Sequence, residues 1–451
     1  MAKSTKTLAP CYVSGLRFEN LKCFSDIQTL SFLDRDGRPS MWNLLLGENG
    51  VGKTTALQCL AWMRPFDPAA PFNFYQPALI DEEENSVFEK LVRFGSKKLL
   101  IEAEFVEGRS DEHSNSVLKT GISVTTDGKG KLLKLVPIDF KKKGKVAPNI
   151  QMIAYSANRL VGSRNLSEDK MSDPISTIFE TGTTLYDPEA ILKDLDYAAL
   201  KTKTRPTRDL FARVKDLIAT ILPDVASPDD VLISGPEITG GSIELSGLQL
   251  KTPDGTVPFS ELSLGYQTTL AWTLDLAWRM IRENPKSKNP FGEPAIVLID
   301  EIDLHLHPKW QLSIRQHLAE HFPATQFIVT AHSPIMALAS LDSNLMVFER
   351  QDDHVVINDY AERVIDWRID QVVMELFSLR SPRPPWIEKL FDERSLLLRD
   401  SKRTKRKQAR LEEIEARIQK LPVWDTPEDL EAMDIIHRAA DQLKGMLQSE
   451  K

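Results

Sequence analysis

The sequence predicts an α/β fold, in which a mixed sheet with flanking helices and a helical lobe is followed by a charged helical tail. Three segments support this prediction. Trp42 to Leu46 is a predicted buried strand that leads through a glycine-rich loop into a helix from Thr55 to Met63. Residues 295–299 and 327–331 are apolar runs that end in polar side chains. Uninterrupted apolar runs are typical of strands covered by helices on both faces, so we expect these segments at the centre of one sheet.

The glycine-rich loop, GENGVGKT at residues 47–54, matches the phosphate-binding pattern G-x-x-x-x-G-K-[ST]. Glycines allow the backbone to wrap a phosphate, with N–H groups directed inward at the start of a helix. We expect Lys53 to reach the β- and γ-phosphates and Thr54 to bind Mg²⁺ through its hydroxyl. A chance glycine turn without a ligand is the competing interpretation. The predicted nucleotide-binding residues are Gly47, Glu48, Asn49, Gly50, Val51, Gly52, Lys53, Thr54 and Thr55.

Two carboxylates, Asp300 and Glu301, follow the apolar run at residues 295–299. Ligands bind outside the carboxyl ends of strands in sheets of this kind. Asp300 is therefore placed to hold Mg²⁺, directly or through water, and Glu301 is placed to act as the general base toward an attacking water. The alternative is a core strand that ends in a solvated acidic turn.

The segment ELSLGYQ at residues 261–267 precedes a long apolar helix, Thr268 to Ile281. It contains L-S-x-G-x-Q and resembles the signature motif of ABC-type ATPases. In that family the serine and glycine contact the γ-phosphate bound by the other subunit, and a helix N-terminus faces the anion. The resemblance implies an ABC-type P-loop ATPase head, ATP and Mg²⁺ as ligands, and a homodimer or higher oligomer joined through the ATP sites. It also implies nucleotide contacts from Ser263, Gly265 and Gln267.

His332 follows the apolar run at residues 327–331 and resembles the switch histidine of ABC ATPases, which hydrogen-bonds the γ-phosphate. With Glu301 it forms the predicted catalytic pair, although a histidine at a strand end is often only structural. The glutamine loop of the family has no obvious counterpart in this chain. Asn158 and Gln151 are the two candidates for its role.

The segment EIDLHLHP at residues 301–308 resembles the dimer-facing loop of the SMC/RecF/OLD-like, non-transporter branch of ABC ATPases. Metal binding by its two histidines is disfavoured, because residues two apart diverge on a helix.

The motif order predicts four regions. The first is a core lobe at 1–160 that contains the glycine-rich (Walker A) loop, and the second is a helical lobe at 161–230. The third, at 231–345, belongs to the core and contains the signature motif, the acidic (Walker B) strand and the switch histidine. The fourth is a charged helical region at 346–451.

Amino-acid composition bears on nucleic-acid binding, membrane association and cellular setting. The 451 residues are 41% hydrophobic and carry a net charge of −8, so nucleic-acid binding would require a local basic patch. The chain has no apolar run of about 18 residues, the length that predicts a membrane span. Its three scattered cysteines, Cys11, Cys23 and Cys59, favour a reducing, cytoplasmic setting without disulfides.

The predicted helical tail contains a basic cluster, formed by Lys402, Arg403, Lys405, Arg406, Lys407 and Arg410. Such a cluster is either a solvated helix surface or a surface that contacts DNA or a partner protein. A compact head with this tail is most similar to the PtuA ATPases of the Septu antiphage defence system, in which the partner is a separate HNH nuclease, PtuB. The resemblance implies an ATPase that senses invasion and controls a nuclease, without nuclease activity of its own. A RecF-like DNA-repair or recombination ATPase that binds DNA by itself is the alternative, and a transporter ATPase is disfavoured by the loop after Glu301.

Overall fold

The computed structural model describes residues 10–65, 90–107, 117–127, 132–139, 150–164, 166, 173–180, 184–202, 204–235, 237–239, 242–244, 247–340, 343–360, 367–377, 379, 381, 383–400 and 404–419. The chain divides into two compact units, Met1–Ser378 and Leu379–Lys451. Within the described residues, no helix has both the length and the apolar character needed to cross a membrane.

The first unit contains both sheets and helices. Its strands are β1 (Cys11–Glu19), β2 (Gln28–Ser31), β3 (Trp42–Gly47), β4 (Lys98–Glu107), β5 (Val117–Thr126), β6 (Leu132–Asp139), β7 (Met152–Tyr155), β8 (Leu160–Arg164), β9 (Thr184–Tyr186), β10 (Val231–Ile233), β11 (Glu237–Thr239), β12 (Ser242–Glu244), β13 (Leu248–Thr252), β14 (Gly255–Pro258), β15 (Ala295–Ile299), β16 (Thr325–Ala331), β17 (Asn344–Gln351) and β18 (His354–Asp359). Its α-helices are α1 (Lys53–Trp62), α2 (Pro188–Thr202), α3 (Arg205–Ile221), α4 (Leu264–Glu283), α5 (Pro308–His321), α6 (Pro334–Leu338) and α7 (Ile369–Leu376). Short 3-10 turns lie at Ser176–Ile178, Pro228–Asp230, Phe259–Glu261 and Pro290–Gly292.

The predicted mixed sheet is confirmed, with strand order β18-β17-β3-β16-β15-β7. Strand β18 pairs with β17 in the antiparallel direction, and all other neighbours in this sheet are parallel. Ile299 on β15 pairs with Val329 on β16 and with Tyr155 on β7. The parallel directions therefore bring the carboxyl ends of β3, β15, β16 and β7 to one edge of the sheet.

Alternate residues of the central strands pack into two separate cores. Leu298 and Ile328 face a core that they share with α1 and with the antiparallel sheet β2-β1-β4-β5-β6. Val297 and Val329 face the other core, which contains residues of α2, α3, α4 and α5. Because side chains alternate between the faces of a strand, both faces of the main sheet are covered, as the apolar runs predicted.

The helical lobe expected at residues 161–230 contains α2 and α3, but it begins with a pair of parallel strands, β8 and β9. Gly162 accounts for this pairing, since a Cβ atom at that position would lie 1.5 Å from the carbonyl oxygen of Leu185. The two strands can approach each other only because residue 162 has no side chain. The sequence pattern alone favoured helix here.

The main sheet continues beyond the boundary expected at residue 345. That boundary falls inside β17, where residues 345–348 are buried and pair with β3. Helix α7 then packs Val372 and Leu376 into the same core as α4 and α5. The first compact unit therefore extends to Ser378, and the charged helical region begins after it.

In the second unit, α8 (Pro385–Arg399) packs against α9 (Lys405–Ile418). Ion pairs link the two helices, because Arg410 contacts Glu393 at 2.8 Å and Arg394 contacts Glu415 at 3.3 Å. Buried apolar side chains lie on the same pair of helices, at Ile387, Leu390, Leu411 and Ile414. The charged, helical character expected for this region is present, whereas Lys402 and Arg403 lie outside the described residues.

Candidate functional site

The glycine-rich loop between β3 and α1 requires glycine where the chain passes close to its neighbours. A Cβ atom on Gly47 would lie 2.6 Å from the carbonyl oxygen of Phe348, and one on Gly52 would lie 2.7 Å from the ring of Phe24. Gly52 and Gly50 have φ angles of 92° and 76°, in the left-handed region that favours glycine. The loop ends at α1, whose first N–H groups have no capping side chain, and such groups bind anions.

A cleft of about 260 Å³ lies beside this loop. Lys53, Thr54 and Thr55 at the start of α1 line it, together with Glu301 and His332 from the ends of β15 and β16. The structure thus brings together side chains from three separate segments of the sequence. Asn49, Gly50 and Gly52 also line the cleft, as do Lys22 and Cys23. The side chain of Val51 is buried in the core and 1% exposed, so the phosphate contact predicted for this residue would be made by its backbone.

Lys53 is a buried cation surrounded by oxygen acceptors. Its Nζ atom donates to the carbonyl oxygens of Gly47 and Glu48, each at 2.8 Å, and lies 3.2 Å from Nδ1 of His332. Burial lowers the pKa of Lys53 to about 8, although the carboxylates of Asp300 and others oppose this shift. An ammonium group removed from water in this way is suited to a polyphosphate, which supplies both negative charge and oxygen acceptors.

Asp300 is only 4% exposed, and hydroxyl groups bind both of its carboxylate oxygens. Thr54 Oγ1 donates to Oδ2 at 2.8 Å, and Thr330 Oγ1 donates to Oδ1 at 2.6 Å. Neighbouring ligands of an octahedral Mg²⁺ ion, each about 2.1 Å from the metal, lie about 3 Å apart. The separation of the Thr54 and Asp300 oxygens therefore fits two adjacent ligand positions, and both oxygens are of the type that Mg²⁺ prefers.

Glu301 and His332 face each other in the cleft, with 3.5 Å between Oε1 and Nε2. Glu301 has a φ angle of 49°, which is uncommon for a residue with a side chain. Its backbone N–H donates to Thr330 Oγ1 at 2.7 Å, so Thr330 contacts both members of the acidic pair. A carboxylate beside an imidazole, each partly exposed, is an arrangement that can orient and deprotonate a water molecule.

The sequence did not reveal three residues that contact the acidic turn or the His332 loop: Asp303, Thr330 and Arg159, whose guanidinium donates to the carbonyls of Asp300 and Glu301. Asp303 Oδ2 accepts hydrogen bonds from the backbone N–H groups of His332, at 3.0 Å, and Ser333, at 2.7 Å. It thereby joins the loop after β15 to the loop after β16. Its position two residues after Glu301 was a usable signal, whereas the contacts of Thr330 and Arg159 depend on strand register.

Gln151, one candidate for the family's glutamine-loop role, lies at the wrong end of β7. Its Oε1 accepts a hydrogen bond from Asn284 at 3.2 Å, and its Nε2 lies 3.3 Å from Met280 Sδ. These contacts are at the amino end of the strand, opposite the edge that carries the cleft. Asn158 follows the carboxyl end of β7 and is exposed, so only this candidate remains on the correct side of the sheet.

The signature residues do not line the cleft of their own chain. Ser263 is exposed immediately before α4, and Gln267 Nε2 donates to the carbonyl oxygen of Leu262 at 2.8 Å. A Cβ atom on Gly265 would lie 2.4 Å from the carbonyl oxygen of His305, which explains the glycine. Nucleotide contact by these residues across a dimer stays a prediction.

The chain matches a family model, solved structures and individual protein sequences. Residues 161–337 match the family model described as "AAA domain, putative AbiEii toxin, Type IV TA system". This segment includes the signature, the acidic strand end and His332. Among solved structures, the SMC head bound to the C-winged helix domain of ScpA aligns with 78% of this chain and 98% of its own, with 15% identity and a TM-score of 0.42.

Two curated relatives match this chain over segments of different length. The Septu protein PtuA of Bacillus mycoides (strain KBAB4) is 24% identical over 410 residues, which cover 91% of this chain and 50% of that protein. The Retron Vc95 probable ATPase of Vibrio cholerae serotype O1 biovar El Tor is 44% identical over 91 residues, which cover 20% of this chain and 18% of that protein. The chain thus spans half or less of the length of these relatives. The chain is thus homologous to Septu protein PtuA over most of its length and to a retron ATPase over a shorter segment.

Proposed function

We propose that this chain binds and hydrolyses ATP, with Mg²⁺, in the cleft beside α1, and that it acts in antiphage defence. The observation that carries the enzymatic part is the grouping of Lys53, the Thr54–Asp300 oxygen pair and the Glu301–His332 pair around one cleft. The similarity to PtuA and to a retron ATPase supports the biological setting.

Each side chain has a defined part in this reaction. Lys53 and the first N–H groups of α1 bind the β- and γ-phosphates. Thr54 and Asp300 would hold Mg²⁺, which neutralises phosphate charge when it is bound. Glu301 accepts a proton from the attacking water, and His332 donates a hydrogen bond to the γ-phosphate. Asp303 keeps the His332 backbone at the distance from Glu301 that this geometry requires.

The proposal includes a homodimer or larger oligomer. Ser263, Gly265 and Gln267 of one protomer complete the γ-phosphate site of its partner, as the resemblance of residues 261–267 to the ABC signature motif implies. In this proposal a separate HNH-type nuclease, and not this chain, cuts DNA. The ATP state of the dimer determines whether that nuclease is held or released.

The variant Glu301→Gln tests the reaction. The amide keeps the size of the side chain and removes its basicity, so hydrolysis should fall by ~10²–10⁴-fold while ATP binding persists. Glu293→Gln is a matched control, because Glu293 precedes the opposite end of β15 and its carboxylate accepts a hydrogen bond from Ser287 at 2.6 Å. The control should bind and hydrolyse ATP as the wild type does. A near-normal rate in Glu301→Gln would exclude the base assignment, and a wild-type chain that binds no ATP would exclude the proposal.

A further inference from the structure

Arg159 is a buried arginine at the edge of the sheet that carries the cleft. It lies in the turn after β7, and Tyr155 at the end of β7 pairs with Ile299 at the end of β15. The chain therefore leaves β7 beside the acidic pair that follows β15. Arg159 is 7% exposed, so its cationic group must be stabilised by hydrogen bonds inside the protein.

The guanidinium group of Arg159 binds three main-chain oxygens. Its Nε donates to the carbonyl of Ser156 at 3.1 Å, and its Nη2 donates to the carbonyls of Asp300 at 2.6 Å and Glu301 at 2.5 Å. Burial lowers the pKa of Arg159 to about 10, so the group stays charged at neutral pH. A planar group with several donors in fixed directions can bridge these carbonyls, whereas a lysine ammonium is a single point of charge.

The same side chain also contacts the helix that follows the signature motif. The guanidinium carbon lies 6.0 Å from the ring centroid of Trp272, a fully buried residue of α4. Arg159 therefore connects the end of β7, the acidic turn after β15 and helix α4.

The contact to Glu301 falls at a strained backbone position. A φ angle of 49° is unfavourable for glutamate, and such a conformation persists only where neighbouring groups hold it. Thr330 accepts a hydrogen bond from the N–H of Glu301, and Arg159 donates to its carbonyl oxygen. The two peptide groups of this residue are thus held from opposite sides, and its side chain is directed toward His332.

We infer that Arg159 is a positioning residue for Glu301: its guanidinium holds the acidic turn in the left-handed conformation that places the Glu301 carboxylate beside His332. The inference rests on the proposed ATPase function. In this inference the turn after β7 acts on the catalytic base by holding the main chain of the acidic turn.

Substitution should therefore affect turnover more than nucleotide binding. Lys53 and Thr54 line the cleft themselves, whereas Arg159 binds the main chain of the acidic turn, and a displacement of the base by about 1 Å can cost about 100-fold in rate. We expect Arg159→Lys and Arg159→Gln to lower kcat for ATP by about 10- to 100-fold, with the dissociation constant for ATP changed less than about threefold. Lysine keeps the charge and glutamine keeps donors, so the pair shows whether the planar group itself is needed.

Arg64→Lys provides the matched control. Arg64 forms a two-point ion pair with Asp173, at 3.2 Å and 3.0 Å, beyond the end of α1 that is remote from the cleft. Its replacement also removes a planar ion pair from a partly buried place, so it should lower thermal stability while kcat is kept. Thermal unfolding of all variants is measured beside kcat and ATP affinity, at temperatures where each variant is folded.

The outcomes separate this inference from the proposed function. A wild-type chain that does not hydrolyse ATP refutes the proposed function and leaves no turnover for Arg159 to support. A wild type that hydrolyses ATP, with folded Arg159 variants that keep kcat within about twofold, refutes the positioning role alone. Equal losses of kcat and ATP affinity would also overturn it, since they indicate a collapsed cleft. A loss of kcat in Arg64→Lys equal to that in the Arg159 variants would reduce the effect to general destabilisation.

Discussion

Replacing Lys53 by methionine removes the buried cation of the cleft and keeps a side chain of similar length. We expect Lys53→Met to abolish ATP binding and, without nucleotide, to lose stability relative to the wild type as the pH rises from about 8 to 10.5. The second expectation follows from the pKa of Lys53, which burial lowers from 10.5 to about 8. The folded protein thus holds an ammonium group in a place that disfavours charge.

The size of this effect can be estimated from two opposing terms. A pKa lowered from 10.5 to about 8 corresponds to about 3 kcal/mol of unfavourable free energy for the charged form. Methionine removes this term, but it also removes two hydrogen bonds from a charged donor, to the carbonyls of Gly47 and Glu48, each with a net contribution of about 1.5–3 kcal/mol. The second term equals or exceeds the first, so at neutral pH the variant should be less stable than the wild type by up to about 3 kcal/mol.

The pH dependence of the difference in unfolding free energy between the two proteins is a sharper test than that difference at a single pH. Between about pH 8 and pH 10.5 the unfolded wild-type chain binds more protons at residue 53 than the folded protein does. Wild-type stability therefore gains from rising pH in that window, and the stability of Lys53→Met relative to the wild type falls. Below about pH 8 both states are protonated, so the difference between the two proteins is constant.

Urea unfolding at pH 7 and at about pH 10, without nucleotide, measures both quantities, and an ATP titration measures binding. Lys286→Met, at an exposed lysine before β15, is the control and should change neither. The reasoning is refuted if Lys53→Met is more stable than the wild type at pH 7. It is also refuted if the difference between the two proteins is the same at both pH values.

Two further predictions concern assembly and partners. Mixing the inactive variants Lys53→Ala and Ser263→Arg should restore part of the ATPase activity. In a mixed dimer one ATP site carries both substitutions and the other carries neither. Mixed dimers without activity would contradict ATP sites shared between protomers. Reversing the exposed α9 residues Lys405, Arg406 and Lys407 to glutamate should leave ATP binding intact and weaken binding to DNA or to the nuclease partner, with a flatter salt dependence if phosphates are contacted. Unchanged binding would leave this cluster as a solvated surface, in which Lys407 already pairs with Asp400 at 2.5 Å.

The sequence predicted those parts of the fold and cleft that depend on short, continuous patterns. The glycine loop, the run at residues 295–299 and the run at residues 327–331 each combine strand and site in a few consecutive residues. Parallel strands place their carboxyl ends at one edge, so the meeting of Lys53, Asp300 and His332 could be expected without knowledge of the register.

The remaining features depend on pairings between distant segments. Arg159 contacts the acidic turn through the main-chain oxygens of Asp300 and Glu301, which have no signature in the sequence. Gln151 lies away from the cleft because it precedes β7, whose first residue, Met152, pairs with Ile296 near the amino end of β15. This register between β7 and β15 cannot be read from the sequence. The strands β8 and β9 form because Gly162 permits a close approach to Leu185, and a glycine in a polar segment also fits a loop.

The contact between Gly265 and His305 has a consequence for how two ATP sites would communicate. The space between them does not admit even a methyl group, since an added Cβ atom would lie 2.4 Å from the His305 carbonyl oxygen. His305 lies four residues after Glu301, and Gly265 belongs to the motif that, in the proposed dimer, serves the opposite site. In that dimer we expect a shift of the acidic turn in one site to displace Gly265 at the other. By thermodynamic linkage, ATP binding in each cleft would then change the affinity of the other cleft by the same factor.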